Sequence, residues 1–306
     1  MTVTISFAEG EAHLDWLALT DALAAGHQHP KAEVADVFLY QGDNTLLNRS
    51  AWVDGLGLAV KCATIFPGNK AHGKPAVGGA VNLFSGKDGT LEAILDFHLV
   101  TKWKTAGDSL LAARRLARPD SRNILIVGAG TVAQSLRAAY GAAFPDARFT
   151  VWNRSPAGAQ ALQQIWPDIA IADDLETAIR VADIVTVATM STDPLIRGDW
   201  LQPGQHIDLI GAYRPDMREA DDAVLQKGRI FVDSFETTLE HIGELKDPIA
   251  RGAIGKNDVI ADYYALDRFK RHDDKDITVF KNGGGAHLDL MTSRYILAAC
   301  KPDPES

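Results

Sequence analysis

Ile124-Leu-Ile-Val-Gly128-Ala-Gly130-Thr-Val-Ala133 is the stretch on which the reading of the fold turns. The apolar run before Gly128 reads as a buried strand, the two glycines break it, and helical spacing resumes at Thr131. In this GxGxxA pattern Gly128 allows a tight turn, Gly130 lets a diphosphate approach the main chain, and Ala133 lets helix and strand pack closely. Thr131 and Val132 open the helix, whose first turn offers unpaired N–H groups and the positive end of a dipole to an anion. A bare GxGxxA is weak evidence. Between a strand and a helix, with further strand–helix units behind it, it predicts a dinucleotide site.

Working outward, the next strand ends Phe149-Thr-Val-Trp-Asn153-Arg154-Ser155. An acidic residue there would bond a ribose 2′-hydroxyl and select NAD(H). None is present. Asn153, Arg154 and Ser155 stand in its place; the arginine fork and the serine hydroxyl suit a 2′-phosphate, which favours NADP(H), with NAD(H) the alternative. Ser155 is also expected to cap a helix that has Pro156 at its first position. Strands are expected near 169–171, 184–187, 206–210 and 229–232, and this alternation with helices predicts a doubly wound parallel sheet. Ligands bind beyond the carboxyl ends of such strands. That places Ala188, Thr189, Met190 and Gly211 along the coenzyme and points Tyr213 towards its nicotinamide end.

Before this region the pattern is β-like. Residues 34–39 and 57–64 read as strands, and 81–84 and 91–96 read as a hairpin. A helix is expected over 102–117, which puts Lys104 at a helix start with Asp108 one turn later, in reach of an i,i+4 pair. After a strand at 277–280, residues 282–285 read as a flexible turn. Residues 286–299 read as an amphipathic helix that packs back on the N-terminal part. The net charge of −9 argues against a general affinity for nucleic acid. No apolar run is long enough to span a bilayer, and the start of the chain does not read as a signal peptide. Two cysteines, Cys62 and Cys300, are too few for a disulfide framework or a multi-cysteine zinc site. No metal site is expected, and the reducing cytoplasm is the expected compartment.

Several segments, in order, resemble the ornithine cyclodeaminase/μ-crystallin family. They are Lys61-Cys-Ala-Thr-Ile-Phe-Pro67-Gly68-Asn69, Leu99-Val-Thr-Lys-Trp-Lys104-Thr105-Ala106, the glycine fingerprint with Trp152-Asn153-Arg154, Ile210-Gly211-Ala212-Tyr213-Arg214-Pro215-Asp216-Met217-Arg218-Glu219, and Thr278-Val-Phe-Lys281-Asn-Gly-Gly-Gly. The resemblance implies an α/β protein with two parts. A Rossmann-type doubly wound parallel sheet (118–282) is joined to a β-rich α+β substrate and dimerisation domain made from both chain ends (1–117 and 283–306). It also implies a homodimer.

By the same resemblance the family's substrate-binding lysine falls on Lys61. The arginine that usually opens its Arg-Thr-Ala segment is Lys104 here, which keeps the charge and loses the fork. Thr105 is assigned to the coenzyme side. The aspartate needed by cyclodeaminases falls near Tyr213, where this chain has no carboxylate, so the run looks more like the ketimine-reductase branch.

A reduction of that kind needs a hydride donor, a cation for the substrate carboxylate and a proton source. Lys61 and Lys104 are the catalytic candidates, with Arg49, Asn69, Tyr213 and His287 as further substrate contacts. The expected function is NAD(P)H-dependent reduction of a small 2-imino acid such as pyrroline-2-carboxylate, piperideine-2-carboxylate or iminosuccinate. The alternatives are an ornithine cyclodeaminase using bound NAD and an NADPH-binding, crystallin-like protein with little turnover.

Overall fold

Side chains alternate across a strand, so a sheet covered on one side buries every second residue. Strand 57–65 shows that alternation, whereas strands 124–127, 184–187 and 206–209 are buried without interruption. This difference separates the two compact units of the computed structural model, which describes residues 2–301. One unit runs to Lys104 and takes in the residues from Gly285 onward; the other is Thr105–Gly284.

The first unit holds β1 (Val3–Ile5), α1 (Phe7–Glu11), α2 (Trp16–Gly26), β2 (Glu33–Gln41), β3 (Asn44–Val53), β4 (Gly57–Ile65), β5 (Val77–Phe84), β6 (Leu91–Asp96) and the start of α3 (Phe97–Leu116). Its six strands are ordered β1-β6-β5-β4-β3-β2; β1 lies parallel to β6 and every other pair is antiparallel.

The second unit continues with β7 (Asn123–Val127), α4 (Thr131–Ala143), β8 (Arg148–Trp152), α5 (Pro156–Ile165), β9 (Ala170–Ile171), α6 (Leu175–Val181), β10 (Ile184–Val187) and β11 (His206–Leu209). There follow α7 (Asp222–Lys227), β12 (Arg229–Val232), α8 (Phe235–Thr238), α9 (Gly243–Ala250), β13 (Val259–Ala261) and β14 (Thr278–Lys281). All eight strands are parallel, in the order β13-β12-β14-β11-β10-β7-β8-β9. The order reverses between β7 and β10, which opens a crevice at their carboxyl ends.

The chain then returns to the first unit through α10 (Ala286–Ala299), which lies on β3, β4 and β5 and against α2. An amphipathic helix was expected here. Instead every residue from Ala286 to Ser293 is buried, because the sheet covers one side and α2 the other. Two of those buried positions are His287 and Asp289, which anticipates a function.

Two other expectations need correction, and one helix was not expected. Helix α3 starts at Phe97, five residues before the expected Lys102, because the Asp96 carboxylate caps it by accepting from Leu99 N at 2.8 Å. Lys104 is therefore inside a helix and buried, not at a surface start. Helix α2 was missed, although Asp15 caps it and Trp16, Leu19, Thr20 and Leu23 recur at helical spacing and are buried. The 282–285 segment is fastened, not flexible: Asn282 Nδ2 donates to Thr105 O and Ser109 Oγ, and Gly284 N donates to the Asp233 carboxylate.

Candidate functional site

Two groups of residues with chemical potential lie in the two units, and each is built by its own sheet. In the parallel-sheet unit, β7 runs into the glycine turn and α4 leaves it. Gly128 adopts φ +107°, and a Cβ there would lie 2.5 Å from Ala188 O, so β7 and β10 meet too closely for any side chain. Gly130 occupies the N-cap of α4 without a side-chain cap bond, and a Cβ on it would meet nothing within 4 Å. A diphosphate can therefore approach the main chain at Gly130 without meeting a side chain.

The crevice in front is lined by Gly128, Gly130, Asn153, Arg154, Ala188, Thr189 and Met190, all expected from sequence. Ala129, Trp152 and Leu195 also line it and were not anticipated; Ser191, from the polar 187–192 segment expected along the coenzyme, lines it too. Thr131 and Val132 form the first turn of α4 and Gly211 follows β11, but none of them lines the crevice, and neither do Thr105 or Ser155. Ser155 holds the N-cap of α5 with Pro156 after it, yet its hydroxyl makes no capping bond. Its carbonyl instead accepts from Asn153 Nδ2 at 2.8 Å, which pins the Asn153 side chain. Tyr213 is exposed beside Arg214 and lies outside the crevice lining.

In the other unit the focus is Lys61. Strand pairing sets Arg49 of β3 directly opposite Lys61 of β4, so both project to the α10 side of the sheet. Arg49, expected as a substrate contact, lies within β3 and forks onto Asp36, with Nη2 at 2.7 Å from Oδ2. Lys61 Nζ is buried 3.0 Å from Asp289 Oδ1 and sits 4.8 Å above the centre of the Phe97 ring. Burial alone would raise the Asp289 carboxyl, but Lys61, Lys104 and Arg49 outweigh it and hold it below the usual range. Lys61 pairs with this carboxylate directly, and Lys104 and Arg49 add a longer-range positive field. The carboxylate's other oxygen, Oδ2, is buried and has no hydrogen-bond partner among the described residues.

His287 is buried beside them, edge-on to His27 at 5.3 Å. Burial, then His27 and Lys104, push its ring well below the ordinary histidine value, so it is neutral. Asn69 is placed differently. It sits in the 67–72 turn and its amide donates to Pro75 O at 2.9 Å, closing its own loop.

The neutral histidines have a thermodynamic signature. His27 donates from Nδ1 to Leu23 O, and burial lowers its ring to about 4. A ring with a folded value below its unfolded one contributes stability that is whole above about pH 6.5 and is lost as pH falls towards about 4. Relative to wild type, His27→Leu is therefore expected to gain about 3 kcal/mol between pH 7.5 and pH 4 in chemical denaturation. A difference that stays constant with pH would refute a neutral His27.

Among the described residues no group of three His, Cys, Asp or Glu side chains is placed to hold a metal, and no helix is long and apolar enough to cross a membrane. What the fold and these two groups define is a dinucleotide-binding α/β protein with a separate, β-rich unit that carries a buried cationic cluster.

The family model for "Ornithine cyclodeaminase/mu-crystallin family" matches residues 50–301, and the chain belongs to that family. It is 51% identical over 300 residues, 95% of each chain, to the Delta(1)-pyrroline-2-carboxylate reductase of Paracoccus denitrificans. Among solved structures, an archaeal alanine dehydrogenase dimer with bound NAD is similar with a TM-score of 0.87 and 26% identity, covering 97% of this chain and 95% of that one. The Thermococcus litoralis Delta(1)-pyrroline-2-carboxylate reductase in complex with NADH and L-proline shares the fold, with a TM-score of 0.87, 24% identity and 97% coverage of both chains.

The pairing of Asp289 with Lys61 spans 228 positions, and no local pattern announces it.

Proposed function

We propose that the chain is an NAD(P)H-dependent reductase of a small 2-imino acid, forming the corresponding amino acid. The observation that carries this reading is the buried Lys61–Asp289 ion pair, with Arg49 directly opposite Lys61 across the strand pair and Lys104 buried in the same unit. Such a cluster suits an anion that also bears a proton-carrying nitrogen. The 51% identity to a pyrroline-2-carboxylate reductase over nearly the whole chain points the same way.

A reduced nicotinamide, when bound, supplies hydride. The residues' own share is binding and charge. The lysine cations hold the substrate carboxylate, and Asp289 fixes the Lys61 side chain in place through their buried 3.0 Å ion pair. Asp289 Oδ2 is a buried acceptor suited to the N–H of a protonated imine, the form whose carbon accepts a hydride most readily. The crevice of the parallel sheet suits the coenzyme. Arg154 at its rim, with no acid at the end of β8, supports a preference for NADP(H) over NAD(H).

A panel of cyclic and acyclic 2-imino acids, each tried with NADPH and NADH, tests the reading by loss of nicotinamide absorbance. Activity on pyrroline-2-carboxylate, piperideine-2-carboxylate or iminosuccinate is the expected result. Ammonia released from ornithine without net redox change would replace it with the cyclodeaminase reading. Coenzyme binding without turnover on any of these compounds would replace it with the crystallin-like one.

The chain is also read as a homodimer of the reducing cytoplasm. Two free thiols, Cys62 and Cys300, and no disulfide framework are consistent with that compartment. The face of the six-stranded sheet turned away from α10 supports the dimer. There Val37, Leu39 and Trp52 are exposed, and Leu58, Val60 and Cys62 alternate half-buried with the covered positions of β4. An apolar surface of this extent on an open sheet calls for a partner. Val37→Glu combined with Leu39→Glu is expected to convert a wild-type dimer to monomer in sedimentation equilibrium. A dimer untouched by the two charges, or a monomeric wild type, would overturn this interface.

A further inference from the structure

Glu219 lies in the segment between β11 and α7, fully buried, in the sequence Met217-Arg-Glu-Ala220. Four donors converge on its carboxylate. Thr189 N and Thr189 Oγ donate to Oε1 at 2.7 and 2.8 Å; Gly211 N and Ala212 N donate to Oε2 at 2.6 and 3.3 Å. Its carbonyl accepts from Leu195 N at 2.8 Å and Ile196 N at 2.9 Å, and the neighbouring Arg218 N donates to Ser191 O at 3.1 Å. The segment bound in this way supplies Ala188, Thr189, Met190, Ser191 and Leu195 to one wall of the crevice. That segment has no regular strand or helix to hold it between Val187 and Gly198.

The support behind Glu219 is equally specific. Glu244 of α9 accepts from Glu219 N at 2.7 Å and from Ala220 N at 3.0 Å. Burial pushes Glu219 up to about 7 and Glu244 above the usual carboxyl range, and Lys281, buried at the end of β14 with Nζ bonded to Leu209 O at 2.9 Å, offsets part of that and favours their charged forms. Gly211 completes the clamp: a Cβ on it would fall 1.8 Å from Thr189 O and 2.5 Å from Glu219 Oε1. The two loops beyond β10 and β11 are therefore drawn into contact, with a carboxylate between them.

We propose that Glu219 is the positioning residue of the coenzyme crevice, holding the 188–196 segment in the shape that receives the nucleotide. The inference rests on the reading of that crevice as a nicotinamide dinucleotide site and does not depend on the imino-acid substrate. Glu219 itself does not line the crevice and acts through Thr189 and its neighbours. A carboxylate suits the task because both of its oxygens only accept. An amide of the same shape turns an NH2 either towards Thr189, where the backbone N–H loses its acceptor, or towards Gly211 and Ala212, where two backbone N–H groups do.

Glu219→Gln is the test, read by NADPH quenching of tryptophan fluorescence, for which Trp152 in the crevice is a built-in reporter. The dissociation constant for NADPH is expected to rise about tenfold or more, by analogy with other buried charge-assisted bonds. The KM for the imino acid at saturating coenzyme is expected to stay within about twofold, because an effect confined to the crevice leaves the other site's binding unchanged. A folded Glu219→Gln protein with unaltered NADPH affinity would overturn the proposal, and a lowered melting temperature alone would mark the residue as merely structural. If that variant does not fold, Thr189→Val keeps the side-chain shape and removes one donor. An NADPH dissociation constant about threefold higher is then expected, as for loss of a single bond, and an unchanged one refutes the clamp. Failure of the wild-type chain to bind NADPH or NADH would instead refute the crevice reading, so the two failures are distinguishable.

Discussion

Lys61→Ala is expected to lower kcat/KM for the imino acid by about a thousandfold or more, while NADPH affinity stays within about twofold. The size follows from two losses at one position. The variant removes an ammonium that is buried 3.0 Å from Asp289 and directly opposite Arg49, and it removes the charge partner of a carboxylate that has little access to water. Breaking one side of a buried ion pair costs about 3–5 kcal/mol, so stability will fall too. A second variant separates the effects. Lys61→Met together with Asp289→Asn removes both charges in similar volumes, and it should recover much of the melting temperature while turnover stays lost. Coenzyme quenching reports that the parallel-sheet unit is intact in both. Turnover within about tenfold of wild type in either folded variant would remove Lys61 from the reaction.

Arg154→Ala is expected to weaken NADPH by about 2 kcal/mol, roughly thirtyfold, and NADH by no more than about twofold. The guanidinium lies at the rim of the crevice directly after β8, next to an Asn153 whose amide is engaged by Ser155 O. Only a 2′-phosphate gives Arg154 a second anionic group to fork onto, so the loss is confined to the coenzyme that carries one. Binding titrations of both coenzymes to both proteins decide it. Equal loss for the two would mean that Arg154 contacts something they share, and a wild type that prefers NADH would remove the premise.

The sequence carried the parallel-sheet unit well because its signals are local. A strand, a glycine turn and a helix within ten residues name a mechanism as well as a shape, and the same strand–turn–helix rhythm repeats down the chain. Gly128, Gly130, Asn153, Arg154, Ala188, Thr189 and Met190 were all legible as crevice residues from their places at strand ends. The first unit was less legible. Its helix α2 went unseen despite a good cap, and α3 was begun too late because the capping role of Asp96 does not depend on hydrophobic period. Lys104 was consequently put at a helix start, although it lies inside α3 and is buried.

By itself the amino-acid sequence determined where backbone amides can receive a diphosphate, which strand end lacks an acid, and that Lys61 sits in an apolar strand. Those properties depend on neighbours within a turn or a strand of each other. Only the tertiary structure decided that Asp289 meets Lys61 from α10, that Arg49 lies across from it, and that Glu219 gathers donors from two loops. The physical reason is that a buried charge is tolerable only beside partners, and the chain is free to bring those partners from any distance once α10 and the 218–220 segment are packed.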